Sequence, residues 1–517
     1  MKNIFLKSNR LLAVVMVLAL IWSCTDLDLI VEDSIVSEDT GGGGFTGVEN
    51  PDASLGNIYD RFNSIYGTQE NIYALAEVSS DEYLVPTRGT DWGDNGIWRQ
   101  LHLHTWDPGH KFVLDTWNDF NQMAYNCNEI IDSRSNASAQ QVAAAKFLRA
   151  YAMWVILDNF GKVPFRGVDE GPSVNPTVLS NTEALNHILT DLDEAIPDLP
   201  SVGPGGATNR ANKAAAYFLK ARVLLNAGIY RGGTAPESSD MAGVIAAVDA
   251  IEAEGFQLHD GYFEMFDGTA NSERIFYCNA GVESKMWKGL HYSQAHSGNA
   301  GGGWNGFTTL AAFYDSFEGN PNSNYMNDGQ EERRGWVPDA STANATNEGF
   351  GVGFLIGQQY SATGTPLVAR KNAPLVFTRE LPGLVGNSDV TGIRVLKYSP
   401  ALGGSYYSGL ILFRYADAYL MKAEAMMRSG GDATQMVNDL RALRDAQPLS
   451  SVSESDMLEE RGRELYDEHV RRTDLIRFNK FADTWEFKDS TDDTKRLFPI
   501  PTNAILSNPN LEQNPGY

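Results

Sequence analysis

TNRANKAAAYFLKARVLLNAGIY occupies residues 208–230. It has a helical period, and its inner face is rich in alanine. Alanine is the strongest helix former and adds little bulk, so such a face lets a neighbouring helix approach closely. The segment therefore calls for partner helices, and the rest of the chain offers them. Asn50 and Pro51 give a cap and first turn to DASLGNIYDRFNSIYG (52–67). AAAKFLRAYAMWVILDNFG (143–161) carries Ala144, Leu148, Tyr151 and Val155 on one face and stops at Gly161 and Pro164. Ser180 and Glu183 make a capping-box pattern for TEALNHILTDLDEAI (182–196), with Leu185, Ile188, Leu192 and Ile196 in register. LILFRYADAYLMKAEAMMRSGG (410–431) repeats the alanine-rich character, and Asp432 caps ATQMVNDLRALRDAQ (433–447) before Pro448. Amphipathic pairs with small residues at their contacts predict a mainly α fold, a tetratricopeptide-like helical-repeat scaffold assembled from both ends of the chain.

The middle differs. Residues 266–408 hold 21 of the 49 glycines, too many for regular helices. Short strand-like runs occur there, such as PLVFTRE (374–380) and GIRVLKYSP (392–400). The expected organisation is a helical region at 50–265, a loop-rich variable region with short strands at 266–408, and a C-terminal region at 409–517 that forms one domain with the first. Loops on a rigid scaffold commonly carry ligand contacts.

At 517 residues and 42% hydrophobic content, the chain has ample material for a core. Its formal net charge of −25 argues against nucleic acid as a partner. Near the start, Lys2, Lys7 and Arg10 precede LLAVVMVLALIW (11–22), a run of signal-peptide length. Ile21, Ser23 and Cys24 resemble a bacterial lipoprotein processing box, although Trp22 is bulkier than that box usually has. The resemblance implies a signal peptide at 1–23, cleavage before Cys24 and lipid on that residue. The alternative is an ordinary secreted protein with an odd cysteine. Residues 24–49 read as a tether, acidic at first and glycine-rich at Gly41 to Gly44. Asp26 and Asp28 resemble the export signal of Bacteroidetes surface lipoproteins, which implies the outer face of the outer membrane. Cys127 and Cys278 could pair, but Cys127 lies in the stripe Val113, Trp117, Phe120, Ala124, Cys127, Ile131, which favours a free core thiol.

The C-terminal LFPIPTNAILSNPNLEQNPGY (497–517) has four prolines and is expected to be neither helix nor strand. It is too apolar for a solvated end, so an extended course packed along the scaffold is predicted.

Two stretches carry candidate ligand chemistry. In SSDEYLVPTRGTDWGDNGIWRQLHLHTWDP (79–108), tryptophans sit among Gly, Asp, Asn and Arg without helical period. An indole stacks on the C–H face of a pyranose while Asn, Asp and Arg meet its hydroxyls. Trp92, flanked by Asp91 and Gly93, is expected to be exposed, and Trp106 to be packing. In SKMWKGLHYSQAHSGNAGGGWNGFTTL (284–310), Trp287, Tyr292 and Trp304 surround a glycine-rich loop that lacks the order of a phosphate-binding motif. His102 and His104 would share one side of a strand, and His110 lies near, but no further ligand completes a zinc set. A structural role is expected for all three. No cofactor or metal is indicated, and the sequence has no GxSxG, HExxH or Walker motif. Carboxylates for a glycosidase are numerous but unassignable. Glu459, Arg461, Glu464, Asp474 and Arg477 fall at i, i+3 and i+4 spacings, which ordinarily give surface or interhelix ion pairs.

Several segments together resemble the SusD/RagB family of Bacteroidetes outer-membrane lipoproteins. They are DNFGKVPF (158–165), NRANKAAAYFLKARVLLNAG (209–228), FRYADAYLMKAEAM (413–426), LRALRDAQ (440–447), LEERGRELYDEHVRRTDLIRF (458–478) and the closing tail. Asp467-Glu468-His469 departs from the family's usual Glu-Gly before Arg, with no functional consequence expected. The resemblance implies a fold with four tetratricopeptide-like units and no catalytic activity. It implies a lid on a TonB-dependent transporter barrel that captures oligosaccharides, or in some members peptides. RGTDWGDNG matches the usual position of one ligand arc, so Arg88, Trp92 and Asn95 are the first candidate contacts. Trp98, Trp287, Tyr292 and Trp304 are the others.

Overall fold

The alanine-rich segment is a helix, and the surrounding architecture follows from its packing. The computed structural model describes residues 44–233, 236–295, 301–343, 349–398 and 409–517. The expected signal peptide, Cys24 and nearly all of the tether lie outside the described residues. Gly47–Tyr517 forms one unit.

Eight helices occupy its first half: α1 (Pro51–Tyr66), α2 (Asn71–Glu77), α3 (Ile97–His102), α4 (Lys111–Ile131), α5 (Ala139–Phe160), α6 (Asn181–Ala195), α7 (Lys213–Tyr230) and α8 (Ser238–Ala253). The expected caps are present. Asn50 Oδ1 accepts the Ala53 N–H at 3.1 Å, and Ser180 and Glu183 form a reciprocal capping box. Ser138 and Gln141 form a second box, which starts α5 four residues before the alanine run that marks it in the sequence. Gly161 ends α5 in the left-handed region, at φ 63°. Helices pack in sequence-adjacent pairs, α4 on α5, α5 on α6 and α7 on α8. Ala214, Ala215, Ala216, Ala221 and Ala227 of α7 are fully buried.

The second half contributes α9 (Val282–Trp287), α10 (Ala311–Asp315), α11 (Tyr415–Arg428), α12 (Thr434–Ala442), α13 (Glu454–Leu465), α14 (Arg471–Arg477) and α15 (Thr502–Ser507). Helix α11 packs on α8 and joins the two helical blocks. The strands are short. β1 (Tyr83–Leu84) pairs with β5 (Thr308–Thr309), and β2 (Val163–Phe165) with β3 (Thr177–Leu179). β4 (Arg274–Cys278) pairs with β11 (Leu410–Arg414), and β8 (Gly357–Gln358) with β9 (Val376–Phe377). β6 (Gly335–Trp336), β7 (Val352–Leu355) and β10 (Arg394–Leu396) form a three-stranded sheet in the order β10-β7-β6. All pairings are antiparallel. Cys127 and Cys278 are both free and buried.

The charged segment 457–478 departs from a single helix. It is two helices, broken where Asp467 and His469 both take φ 63°. Of the surface and interhelix ion pairs that its spacing allows, it makes buried ones between segments; only Glu459 keeps a half-exposed side chain. Glu464 meets Arg414 at 2.8 Å, Arg444 at 3.0 Å and Arg333 at 3.3 Å. Glu460 meets Arg333 at 2.7 Å and Arg441 at 2.6 Å. Arg477 joins Glu424 and Asp474, each at 2.7 Å. Burial alone would raise the Glu464 carboxyl, but Arg444, Arg414 and Arg333 outweigh it and hold it well below the usual range. Glu273 meets Arg414 at 3.1 Å and Arg444 at 3.2 Å, so Glu273 and Arg333, both within 266–408, bind that segment to the C-terminal helices.

The tail packs as expected. Phe498 and Ile500 are fully buried. The Asn514 amide donates to Phe160 O at 2.8 Å and Phe498 O at 2.7 Å, and the Trp106 indole donates to the Tyr517 hydroxyl at 2.6 Å. The expectation of no helix needs correction. Between Pro501 and Pro509 the chain makes the short helix α15, because prolines at its ends leave the turn's own N–H groups free to bond.

Candidate functional site

Leaving β1, the chain enters a tight loop zipped to a distant one. The Thr87 N–H donates to Leu384 O at 2.9 Å, and the Asn387 N–H to Thr87 O at 3.3 Å. Arg88 and Asp91 exchange two backbone hydrogen bonds of 3.0 Å. Trp92, Asp94 and Asn95 have φ of 59°, 36° and 52°. Such non-glycine conformations cost about 1–3 kcal/mol each and persist only where neighbours fix them. Here Trp92 is fixed by Gly306: a Cβ at that glycine would lie 2.4 Å from the indole. The Trp92 Nε1–H donates to Trp304 O at 2.8 Å, and its ring meets Trp98 and Phe307 edge-on at 5.6 and 5.9 Å.

Beside Trp92 lies a polar cluster from three further segments. The Tyr292 hydroxyl donates to Asp91 Oδ2 at 2.8 Å, and Arg370 Nη1 approaches the same oxygen at 2.8 Å. The Arg370 guanidinium sits 4.3 Å from the centre of the Tyr292 ring. Asp389 Oδ2 accepts the Arg370 backbone N–H at 3.0 Å and lies 3.3 Å from His291 Nε2. Ser293 Oγ donates to Val368 O at 2.8 Å. The Arg370 side chain is 56% exposed. Burial and Asp91 push the Tyr292 hydroxyl up to about 12, so it remains a donor at neutral pH. The Tyr292 hydrogen bond and Arg370 hold the Asp91 carboxyl down. Burial raises Asp389, but the Arg370 N–H and His291 outweigh it and hold its carboxyl below the usual range. Glycosidic cleavage needs a carboxylic acid that keeps its proton. Neither carboxylate of this cluster is placed to keep one. The arrangement is a surface of half-buried aromatics with fixed hydrogen-bonding edges.

The expected site residues divide. Asn95 is exposed, and Trp92, Tyr292 and Trp304 are half-buried around the same loops. Trp92 is thus less open than its flanks suggest, because Gly306 admits its ring into the fold. Three residues need correction as direct contacts. Arg88 is 2% exposed, and its Nη1 donates to Ser388 O at 2.9 Å and Thr391 O at 2.7 Å, so it anchors one loop to another. Trp98 is buried against Phe112 and Phe307, with its indole N–H on Asp94 Oδ2 at 2.8 Å. Trp287 is fully buried in a second apolar cluster with Met286, Leu290 and Phe350. Trp106, expected as packing, is 2% exposed.

The histidines are structural. His102 Nε2 lies 2.8 Å from Glu486 O, His104 Nε2 2.8 Å from Ser79 O, and His110 Nε2 3.1 Å from Ile97 O. His102 ends α3 and His104 lies in the turn after it, not on a strand. Among the described residues no group of His, Cys, Asp or Glu could hold a metal ion.

Sequence reading missed Arg370, His291 and Asp389. One signal was available: Arg370 and Lys371 are the only charged residues between Glu348 and Arg379.

Comparison with known proteins agrees with this architecture. Residues 272–517 match the SusD family model, and residues 99–209 match a second one described as starch-binding, associating with outer membrane. The starch-binding protein SusD of Bacteroides thetaiotaomicron is 27% identical over 466 residues, covering 82% of each chain. SusD-like protein P38 of Formosa agariphila is 24% identical, covering 90% of this chain and 92% of the relative. Among solved structures, surface glycan-binding protein A from Bacteroides thetaiotaomicron in complex with laminarihexaose has a TM-score of 0.63 at 19% identity, covering 91% of this chain and all of that one. A SusD-like protein from Bacteroides fragilis has a TM-score of 0.67 at 21% identity, covering 92% and 98%. The fold is the helical, tetratricopeptide-like one shared by these proteins. The chain belongs to the SusD/RagB family.

Proposed function

We propose that this protein captures glycans at the cell surface and does not cleave them. The observation that carries the reading is the surface built by Trp92, Tyr292 and Trp304 around the Tyr292–Asp91–Arg370 hydrogen bonds. It offers flat rings with fixed polar edges, which suits a pyranose with one apolar face and a rim of hydroxyls. The named binding of starch and laminarihexaose by relatives supports the same reading. In this proposal Cys24 carries lipid, residues 24–49 tether the protein to the outer membrane, and the body closes as a lid over a TonB-dependent transporter barrel during import.

Peptide capture by the same lid would favour an enclosed cavity. The cavity lined by Tyr66, Tyr151, Trp154, Arg222 and His469 is about 30 Å³, room for a water or two and far too small for a peptide. Affinity electrophoresis over a polysaccharide panel, with peptides titrated in parallel, tests the proposal. Retardation by at least one polysaccharide is expected. Binding to peptides alone would overturn it.

A further inference from the structure

The ligand surface has the opposite electrostatic character from the rest of the molecule. The chain carries a formal charge of −25. Yet segments 87–99, 291–295, 301–306, 368–372 and 387–394 contain five cations, Arg88, Arg99, Arg370, Lys371 and Arg394, against three carboxylates, Asp91, Asp94 and Asp389. Two of the cations are buried without a carboxylate in ion-pair contact among the described residues, although the Asp389 charge acts on both. The Arg88 Nη1 bonds only Ser388 and Thr391, and its Nε and Nη2 have no partner among the described residues. Arg394, fully buried, gives its N–H groups to Asn305 Oδ1 at 2.9 Å and to the carbonyls of Thr391, Gly392 and Asp389. Among the described residues neither is within ion-pair distance of a carboxylate. Several other buried arginines are paired, as Arg333, Arg414, Arg444 and Arg477 show, whereas Arg334 like these two bonds backbone carbonyls.

An unpaired buried guanidinium is costly and stays charged. Burial pushes Arg88 down to about 9, and burial together with Arg88 lowers Arg394. An anion nearby would relieve both. The exposed face has suitable receptors. Arg370 spends one Nη on Asp91, and its other side-chain N–H groups bond nothing among the described residues. Lys371, next to it, is exposed on a left-handed turn at φ 63° that holds its side chain out of the fold. A guanidinium fork with free N–H groups matches the geometry of a carboxylate or sulfate ester.

We infer that the glycan is anionic, with a carboxylate or sulfate ester seated at Arg370 and Lys371 beside Tyr292, in the positive field of Arg88 and Arg394. This rests on the glycan-capture reading and narrows its substrate class. The overall negative charge repels such a polymer, so any affinity for it at low salt has to come from this local field.

The test is affinity electrophoresis and calorimetry of the full chain against alginate, polygalacturonate and carrageenan beside neutral starch, laminarin and dextran. Acidic polysaccharides are expected to bind more tightly, and more weakly as salt rises. In the R370Q/K371Q double variant, affinity for them should fall about tenfold or more, the scale of a lost charged hydrogen bond, with melting temperature unchanged. Preference for alginate or polygalacturonate assigns the carboxylate, and preference for carrageenan the sulfate ester. Equal or tighter binding of a neutral glycan, unaffected by the double variant, overturns the anionic inference and leaves glycan capture standing. Binding to no glycan at all overturns both.

Discussion

Trp92 and Tyr292 sit in the proposed ligand surface differently from what their sequence neighbours suggest. Trp92 looks like a free platform between Asp91 and Gly93, but its ring is seated over Gly306 and bonded to Trp304. Trp92→Ala should therefore lower both ligand affinity and stability. Full burial of a tryptophan makes truncation cost about 3–5 kcal/mol, and a half-buried ring should cost about half of that. Chemical denaturation checks this, and an unchanged midpoint would contradict it. The sequence showed which two stretches carry the aromatics. It could not show which rings face solvent, because that depends on contacts such as Trp92 with Gly306 and Arg88 with Thr391, hundreds of residues apart. Arg370 was missed for the same reason: its partner Asp91 lies in another region of the chain.

At the level of elements, the helices were legible because alanine faces and caps are local signals. Asn50, Ser180 and Gly161 each mark a boundary the structure keeps. The burial of the charges in α13 and α14 was not legible, since i, i+4 spacing is the same on a surface helix and in a core. These ion pairs make two predictions. Glu464→Gln strips the carboxylate from three buried arginines and should cost about 3–5 kcal/mol in urea denaturation. Acid should also unfold the protein through the same groups. Burial raises Glu424 and Glu460, but their arginine partners outweigh it and hold each carboxyl down to about 2. A depressed folded value means that the stabilisation is complete above the unfolded value of about 4.3 and is lost as pH falls toward 2. Through these groups the melting temperature should fall steeply as pH drops between about 4 and 2. A third prediction concerns the tail. Truncation before Leu497 removes Phe498, Ile500 and the Tyr517 bond to Trp106, so the shortened protein should fail to fold stably. A truncated chain with unchanged melting would contradict its role as part of the core.

For the whole molecule, two helical blocks joined through α8 and α11 carry a loop region that buried ion pairs hold in place. Segments 87–96, 291–295, 301–306 and 368–391 are bonded to one another through Thr87, Arg88, Trp92 and Tyr292, although they come from three separate parts of the chain. Rigid placement of half-buried rings and a few polar groups is what a surface that captures sugars without reacting with them requires. The measurement that bears most directly on this account is calorimetric titration of a bound polysaccharide or its oligosaccharides into the natural protein and into Tyr292→Ala. The account predicts measurable binding by the first and a loss of about tenfold or more in the second, with little change in melting temperature. Unchanged affinity in Tyr292→Ala would contradict it.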